Sequence, residues 1–403
     1  MGPVGWDADP EVASWPGLPL LTDDVRADAC VIGLGGSGLA AVRALAERGL
    51  SVVGVDAGRV AAGAAGRNGG FLLGGPALFL HDAIQRWGAD AAAGLYRATL
   101  AELDRLEAEL GPRVIARNGS IRLAGLPGRA ADADDAEAAD DAEAAEAADD
   151  KEAADRAAEL VDCAAHATAL RAHGFAVEEY DGPLGQGIFL PDDAAMNPAR
   201  RALGLARMVA DRAVLHEHTA VRDVAPGRVG TDGGTISAGV VIVAVDGRLE
   251  VLLPQLADRV RSARLQMLAT APVAAGRLPC PVYGRWGYDY AQQGADGRLY
   301  VGGGRDLFLD QEWTADTEPT PGVQRYLESV AERMAGTAAP VTHRWGASVG
   351  FTSDGRPLCT QVADGVVAIG GYNGTGNLVG PVAARAAVAL ALDGTPPPPY
   401  FAT

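Results

Sequence analysis

Apolar positions along the chain follow two spacings, and their alternation sets the order of elements. The near-continuous apolar run in DACVIGLG (28–35) predicts a buried strand ending in a turn. SGLAAVRALAERG (37–49) reads as a helix closed by Gly49, and LSVVGVD (50–56) as the next strand, together a βαβ unit. A helical run follows at about 82–110, then strand-like GSIRLAG (119–125) and a second long helix, PARRALGLARMVADRA (198–213). VVIVAVD (240–246), RWGYDYAQQ (285–293) and RLYVGGG (298–304) read as strands, and 365–394 as a strand, a glycine loop and a closing helix. Residues 1–26, with Pro3, Pro10, Pro16 and Pro19, show neither period and read as an arm. Dinucleotide-type elements at both ends with strand-rich sequence between them predict two interleaved domains.

Composition changes this picture in one place. A length of 403 residues suits two or three structural domains, and 48% apolar content is ordinary for a soluble protein. No apolar run approaches the roughly 20 residues needed to cross a bilayer. The stretch MGPVGWDADPEV lacks the apolar core of a secretory signal, and Trp6 stands where a myristoylation motif needs Ser or Thr. Cys30, Cys163, Cys280 and Cys359 are far apart, which predicts free thiols in a reducing cytoplasm rather than a zinc site or disulfides. His216 and His218 flank Glu217 with no third ligand nearby, so no metal site is expected. The net charge of −18 argues against nucleic acid and anionic membranes as partners. Residues 131–157 carry −10 of that charge and read as a solvated, partly frayed helix inserted in a loop; a docking site for a basic partner and plain disorder are the other readings.

Three glycine-rich turns carry the candidate chemistry. GLGGSG places Gly33, Gly35 and Gly38 in G-x-G-x-x-G spacing, after a strand and opening a helix at Ser37, with Asp56 ending the second strand and Ala57 just after it as a further cofactor contact. The first glycine makes the turn, the second admits a pyrophosphate and the third lets helix and sheet approach; Asp56 would accept hydrogen bonds from ribose hydroxyls. AAGRNGGFLLGG (64–75) follows closely, and its Gly66, Arg67, Asn68, Gly69 and Gly70 suggest a ligand longer than the first turn can hold. A flavin dinucleotide meets that description better than NAD. Between a strand and a helix, GGYNGTGNLVG (370–380) supplies Gly374, Thr375, Gly376 and Asn377, a helix N-terminus able to face an electron-rich flavin edge. In RWGYDYAQQ, period 2 puts Trp286, Tyr288 and Tyr290 on one strand face, as core or as pocket lining.

The arm, the fingerprint, GRNGG (66–70), SVGFTSDGRPL (348–358) and NGTGNLVGP (373–381) together resemble the D-amino-acid oxidase superfamily of FAD enzymes, most nearly its glycine oxidase, sarcosine oxidase and γ-glutamylputrescine oxidase branches. The resemblance implies an α/β fold, α+β overall: a Rossmann-like FAD-binding domain interleaved with an antiparallel-sheet substrate domain that roofs the flavin. The arm then covers 1–26. The FAD-binding domain takes 27–80, 196–262 and 345–403, and the substrate domain 81–195 and 263–344. Val221 matches the position whose backbone meets the adenine, and Trp286, Tyr288 and Tyr290 fall in the roof. Relatives that oxidise amino acids clamp the carboxylate with a cation near the positions held here by Val349 or Leu378, and some tether the flavin through a Cys near Ser348. These residues are absent here, which implies non-covalent FAD and a substrate that need not be an α-amino acid. Arg67, Arg285 and Arg305 could form a different clamp, Arg67 foremost. The resulting expectation is an FAD-dependent amine or amino-acid oxidase or dehydrogenase. It would take hydride from the carbon α to nitrogen, form an imine and be reoxidised by O₂ or an electron carrier. The alternative is a flavoprotein subunit that relays electrons and docks its partner through the acidic insert.

Overall fold

The computed structural model describes residues 4–128 and 142–403. Two eight-stranded sheets and one three-stranded sheet, with helices packed on them, make a mixed α/β architecture among these residues. In the first sheet Val25–Ile32 runs parallel to Val52–Val55 on one side and Thr235–Val243 on the other, with Val31 opposite Gly54 and Ile242. Val214–His216 continues the parallel order beyond Val52–Val55, and Val366–Gly370 pairs with the end of Thr235–Val243. Residues 29–32 are wholly buried, as a parallel strand covered on both faces must be.

The turn after the first strand explains its glycines. A Cβ on Gly38 would lie 1.7 Å from the Gly33 carbonyl oxygen, so the helix Gly36–Glu47 can start there only with glycine. That helix packs against the closing helix Gly376–Asp393, where Gly380 comes close to Ser37.

The second sheet is mainly antiparallel. Its order is Val341–Thr352, Val260–Pro272, Arg298–Gly302, Asp289–Gln293, Val282–Gly284, Ser120–Leu123, Gly185–Leu190 and Glu178–Gly182. The expected domain boundaries at 262/263 and 344/345 fall inside the first two of these strands. The three-stranded sheet joins Phe71–Leu72, Ala194–Met196 and Ile115–Ala116, and fixes the start of the chain segment that follows the second glycine loop.

Several expectations change. The helical run at 82–110 is two helices, Leu80–Trp87 and Ala89–Leu110, because Gly88 sits at φ 85°. The helix expected over 198–213 spans Pro198–Val209, with Asn197 capping it. Trp286 and Tyr288 do not share a strand face with Tyr290: Arg285–Gly287 is a 3₁₀ turn with Arg285 and Trp286 at φ 49° and 56°, and the strand begins only at Asp289. Residues 131–141 of the acidic insert lie outside the described residues. From Ala142 the insert is the first half of a 31-residue helix, Ala142–Ala172. It is anchored as well as solvated, since Glu152 accepts from Arg333 and Arg156 donates to the Leu126 carbonyl.

The arm is structured too. It forms a 3₁₀ turn at Gly5–Ala8 and a short helix at Pro10–Ala13, and its end begins the first strand at Val25. Trp6 stacks on Tyr300 with ring centroids 3.4 Å apart, and its indole N–H donates to the Asn68 carbonyl at 2.9 Å. Buried Glu217 holds the rest: its carboxylate accepts from Trp15 Nε1 at 2.9 Å, the Leu18 amide at 2.8 Å and the Val60 amide at 2.6 Å. Glu217→Ala leaves three donors, the buried Val60 amide and the half-buried Trp15 indole and Leu18 amide, without their acceptor, so urea unfolding should show a loss of about 3 kcal/mol. A loss below about 1 kcal/mol would mean that the arm is held by apolar contacts alone.

Candidate active site

Between the two large sheets lies a cavity of about 1160 Å³. This exceeds the roughly 300–1,000 Å³ of most small-molecule sites, leaving room for an extended ligand beside a second, smaller one. Its wall contains Gly33, Gly35, Ser37, Asp56, Ala57, Arg67, Asn68, Gly69, Val221, Gly374, Thr375, Gly376 and Asn377, so residues from all three glycine turns meet there. Gly38, Gly66 and Gly70 stand behind the wall. Gly66 is needed because a Cβ would meet the Ala61 carbonyl oxygen at 2.2 Å, and Gly70 because its φ is 75°.

Two asparagines join the second and third glycine turns. Asn68 Nδ2 donates to Asn377 Oδ1 at 3.2 Å, and Asn377 Nδ2 donates to Asn68 Oδ1 at 3.0 Å and to the Phe71 carbonyl at 2.8 Å. Gln292 reaches over from the second sheet and donates to the Gly69 carbonyl. Beside them Arg201, 1% exposed, donates to the Asn377 carbonyl at 2.7 Å while its Nε has no partner; burial lowers its pKa to about 10. On the first turn, Asp56 accepts from the Leu34 amide at 2.7 Å and the Gly58 amide at 2.9 Å, and burial raises its pKa against those bonds. Asp246 matches it beyond the end of Thr235–Val243, on the other side of the first strand, accepting from the Gly350 and Tyr372 amides.

The roof is aromatic. Phe71 meets Tyr290 edge-on at 5.8 Å and Tyr283 at 6.2 Å, and Met267 and Leu265 complete this part of the wall. Trp286, Tyr288 and Tyr290 all line the cavity, brought there by the 3₁₀ turn and the strand after it. Trp286 is held from the second half of the helix Ala142–Ala172, donating through its amide to Glu159 and through Nε1 to Asp162 at 2.7 Å.

Of the three arginines considered as a clamp, Arg285 does not line the cavity and is paired with Asp289 and Asp306. Arg67 lines it, 7% exposed, with Nη1 donating to the Gly346 carbonyl at 3.1 Å and Nε unpartnered. Arg305 lines it with its guanidinium 4.4 Å from the Phe351 ring centre. Val349 lines the cavity, whereas Leu378 is buried away from it. Arg122, His166, Arg201 and Asp246, which sequence reasoning missed, also line the cavity. Arg201 and Asp246 carried a signal, an Arg on the apolar side of a helix and an Asp following an apolar strand as Asp56 does, whereas Arg122 and His166 carried none.

Residues 28–390 match the family model described as FAD dependent oxidoreductase (DAO). The chain belongs to the DAO family of FAD-dependent oxidoreductases. Its sequence is 27% identical over 393 residues to the probable oxidoreductase OrdL of Rhizobium meliloti (strain 1021), covering 94% of this chain and 86% of that one. The fold is similar to L-proline dehydrogenase from P. horikoshii, with TM-score 0.70 and 16% identity over 95% of this chain and 96% of that one. It is similar also to glycine oxidase from Geobacillus kaustophilus, with TM-score 0.67 and 18% identity over 92% and 95% of the two chains. Iminodiacetate oxidase from Chelativorans sp. BNC1 gives 0.63 and 17% over 92% and 96%. At these identities the structures establish the fold.

The family's cofactor is FAD, and the cavity fits it. A Cβ on Gly374 would meet nothing within 4 Å, and one on Gly35 would meet only the Ala65 methyl, at 3.2 Å. Both turns thus leave space against bare backbone, the first at the N-terminus of the helix Gly36–Glu47, where an anion is favoured. The unpartnered Nε of buried Arg201 adds a cation that the protein alone leaves uncompensated.

Gly35→Val should therefore yield a folded oxidoreductase without FAD, whereas Gly38→Ala should lower Tm through its clash with Gly33; flavin absorbance per chain and a thermal melt separate the two. A Gly35→Val protein with wild-type flavin content would contradict the assignment of the turn. A pH effect follows from Asp193, which is fully buried behind the roof, where burial raises its pKa from 3.8 to about 6 despite bonds from Ser120 and Gly74. The folded protein keeps this proton to higher pH than the unfolded chain, so the stability tied to it is present below 3.8 and is lost as pH rises through 6. Asp193→Asn should gain Tm relative to wild type as pH goes from 5 to 7.5. A difference in Tm that stays constant over that range would show that Asp193 titrates normally.

Proposed function

We propose that this enzyme oxidises the C–N bond of an amine or amino acid to an imine, using FAD held without a covalent bond. The observation that carries this reading is the composition of the cavity beside the Asn68–Asn377 junction: an aromatic and aliphatic roof, with the carboxylates of Asp56 and Asp246 already engaged by backbone amides. FAD supplies the two-electron acceptor. The chain's own part is to bind a neutral amine, orient it against the roof and exclude water, which needs no strong base. Phe71, Tyr283 and Tyr290 form the surface against which a substrate would pack, and Trp286 and Tyr288 edge it. The glycine turns and Arg201 would hold the dinucleotide, Asp56 the ribose, and the Val221 backbone the adenine. Non-covalent binding is supported by the cysteines, all four buried and none on the cavity wall. Free thiols also fit work in the reducing cytoplasm. Reoxidation by O₂ or by an electron carrier completes the cycle.

The test is anaerobic mixing of the flavin-loaded enzyme with panels of amines, amino acids and 2-hydroxy acids, followed at the flavin absorbance. Bleaching by a nitrogen compound, with a carbonyl product after imine hydrolysis, is the expected result. Bleaching confined to 2-hydroxy acids would overturn it. Peroxide release in air then distinguishes O₂ from a carrier as acceptor, and flavin that stays with precipitated protein would disprove non-covalent attachment.

A further inference from the structure

Arg122 lies in the middle of the strand Ser120–Leu123, with its side chain at the cavity wall and 7% exposed. Aromatic rings cover its guanidinium: Phe79 at 4.2 Å and Tyr283 at 4.5 Å. Its one hydrogen bond goes from Nη2 to the Tyr283 hydroxyl at 3.2 Å, and Nε and Nη1 have no partner. Among the described residues no carboxylate lies within 4 Å of it. The nearby acids are occupied: Asp193 accepts from Ser120 and Gly74, and Glu159 from the Gly125 and Trp286 amides. A buried, unpaired guanidinium is costly, and stacking on rings offsets only about 2 kcal/mol of that cost. What the site lacks is an acceptor in the plane of the guanidinium, the direction from which carboxylates bind arginine.

The neighbours point the same way. His166 also lines the cavity, and its Nδ1 accepts from the Leu80 amide at 2.9 Å, which places the ring proton on Nε2. The recess therefore presents hydrogen-bond donors from Arg122 and His166. It is also separated from the Gly69 turn. Between them stand the rings of Tyr283 and Phe71, with centroids 6.2 Å apart, and Phe71 and Tyr290 both sit against Gly69.

We infer that the recess around Arg122 is a subsite for a carboxylate borne by the substrate several bonds away from its reacting amine. The enzyme's substrate class is then an amine with a remote carboxylate, and Arg122 is its specificity determinant. The inference rests on the amine-oxidation reading above. It supplies what neither Val349 nor Leu378 can, at a place unrelated to either.

The probe pair is 5-aminopentanoate and pentylamine, which differ in the remote carboxylate, with pentanoate as a ligand that carries no amine. Wild type should favour 5-aminopentanoate by at least about 10-fold in kcat/KM, mainly through KM, and Arg122→Met should bring the ratio close to one. Arg122→Lys, which keeps charge but loses the planar fork, should fall between and serves if Arg122→Met does not fold. Calorimetry with pentanoate should show binding to wild type weakened at least about 10-fold in either variant. A wild type without the preference, or a variant that keeps it, overturns the subsite. If no amine is oxidised yet pentanoate binding depends on Arg122, the subsite stands and the amine reading falls. If amines are oxidised and pentanoate binds both proteins equally, the reverse holds.

Discussion

The reciprocal amide pair of Asn68 and Asn377 is the constraint around which the site is built. Each side chain gives one N–H and accepts one, so the second and third glycine turns are locked at a fixed spacing although 309 residues separate them. Glycine turns are conformationally loose by themselves, and a loose turn cannot hold backbone amides toward a ligand. Asn377 passes the constraint on to Arg201 through its carbonyl and to the strand at Phe71 through its amide, and Asn68 passes it to Trp6. One pair of neutral side chains thereby orders the junction of arm, cofactor turn and roof.

Electrostatics complement that framework. The chain carries a net charge of −18, yet the cavity wall gathers Arg67, Arg122, Arg201 and Arg305. Arg67, Arg122 and Arg201 are buried, and each retains at least one unpartnered nitrogen. Uncompensated charge in a dry cavity lowers stability while it lasts, so such a wall is an imprint of anionic ligands. In the proposed FAD assignment, Arg201 beside Gly36 would answer to the pyrophosphate at the first turn. The part at Arg122 lies on the other side of the aromatic roof.

How far the sequence disclosed this depended on the range of each signal. The turn at Gly33, Gly35 and Gly38 was legible because its rules are local: a strand, a tight turn and a helix start within six residues. The turns at 66–70 and 374–377 were legible as glycine-rich, but which glycines face the ligand was not. Gly66 is fixed by Ala61 and Gly70 by its own positive φ, and neither fact is written in spacing. The failure at Trp286 has the same root. Period 2 assumes extended backbone, whereas Arg285 and Trp286 take left-handed angles that side-chain-bearing residues rarely adopt. Arg122 was hidden because an arginine in a short apolar strand reads alike whether it points to water or into a cavity. Only the partners across the sheet decide that.

The long-range contacts of the arm bear on the order of events during synthesis. Its contacts are with Asn68, Glu217 and Tyr300, so the first segment made lacks the last of its docking partners until about three quarters of the chain exists. Asn377 comes later still, and with it the lock on the cofactor turn. Such long-range closure makes for slow folding, with apolar strands waiting unpaired. A nascent chain can thus form its first βαβ unit early and still be unable to retain a flavin. Capture of the cofactor becomes one of the last steps of maturation, and free FAD in the cell acts on the yield of finished enzyme by trapping chains that have just closed.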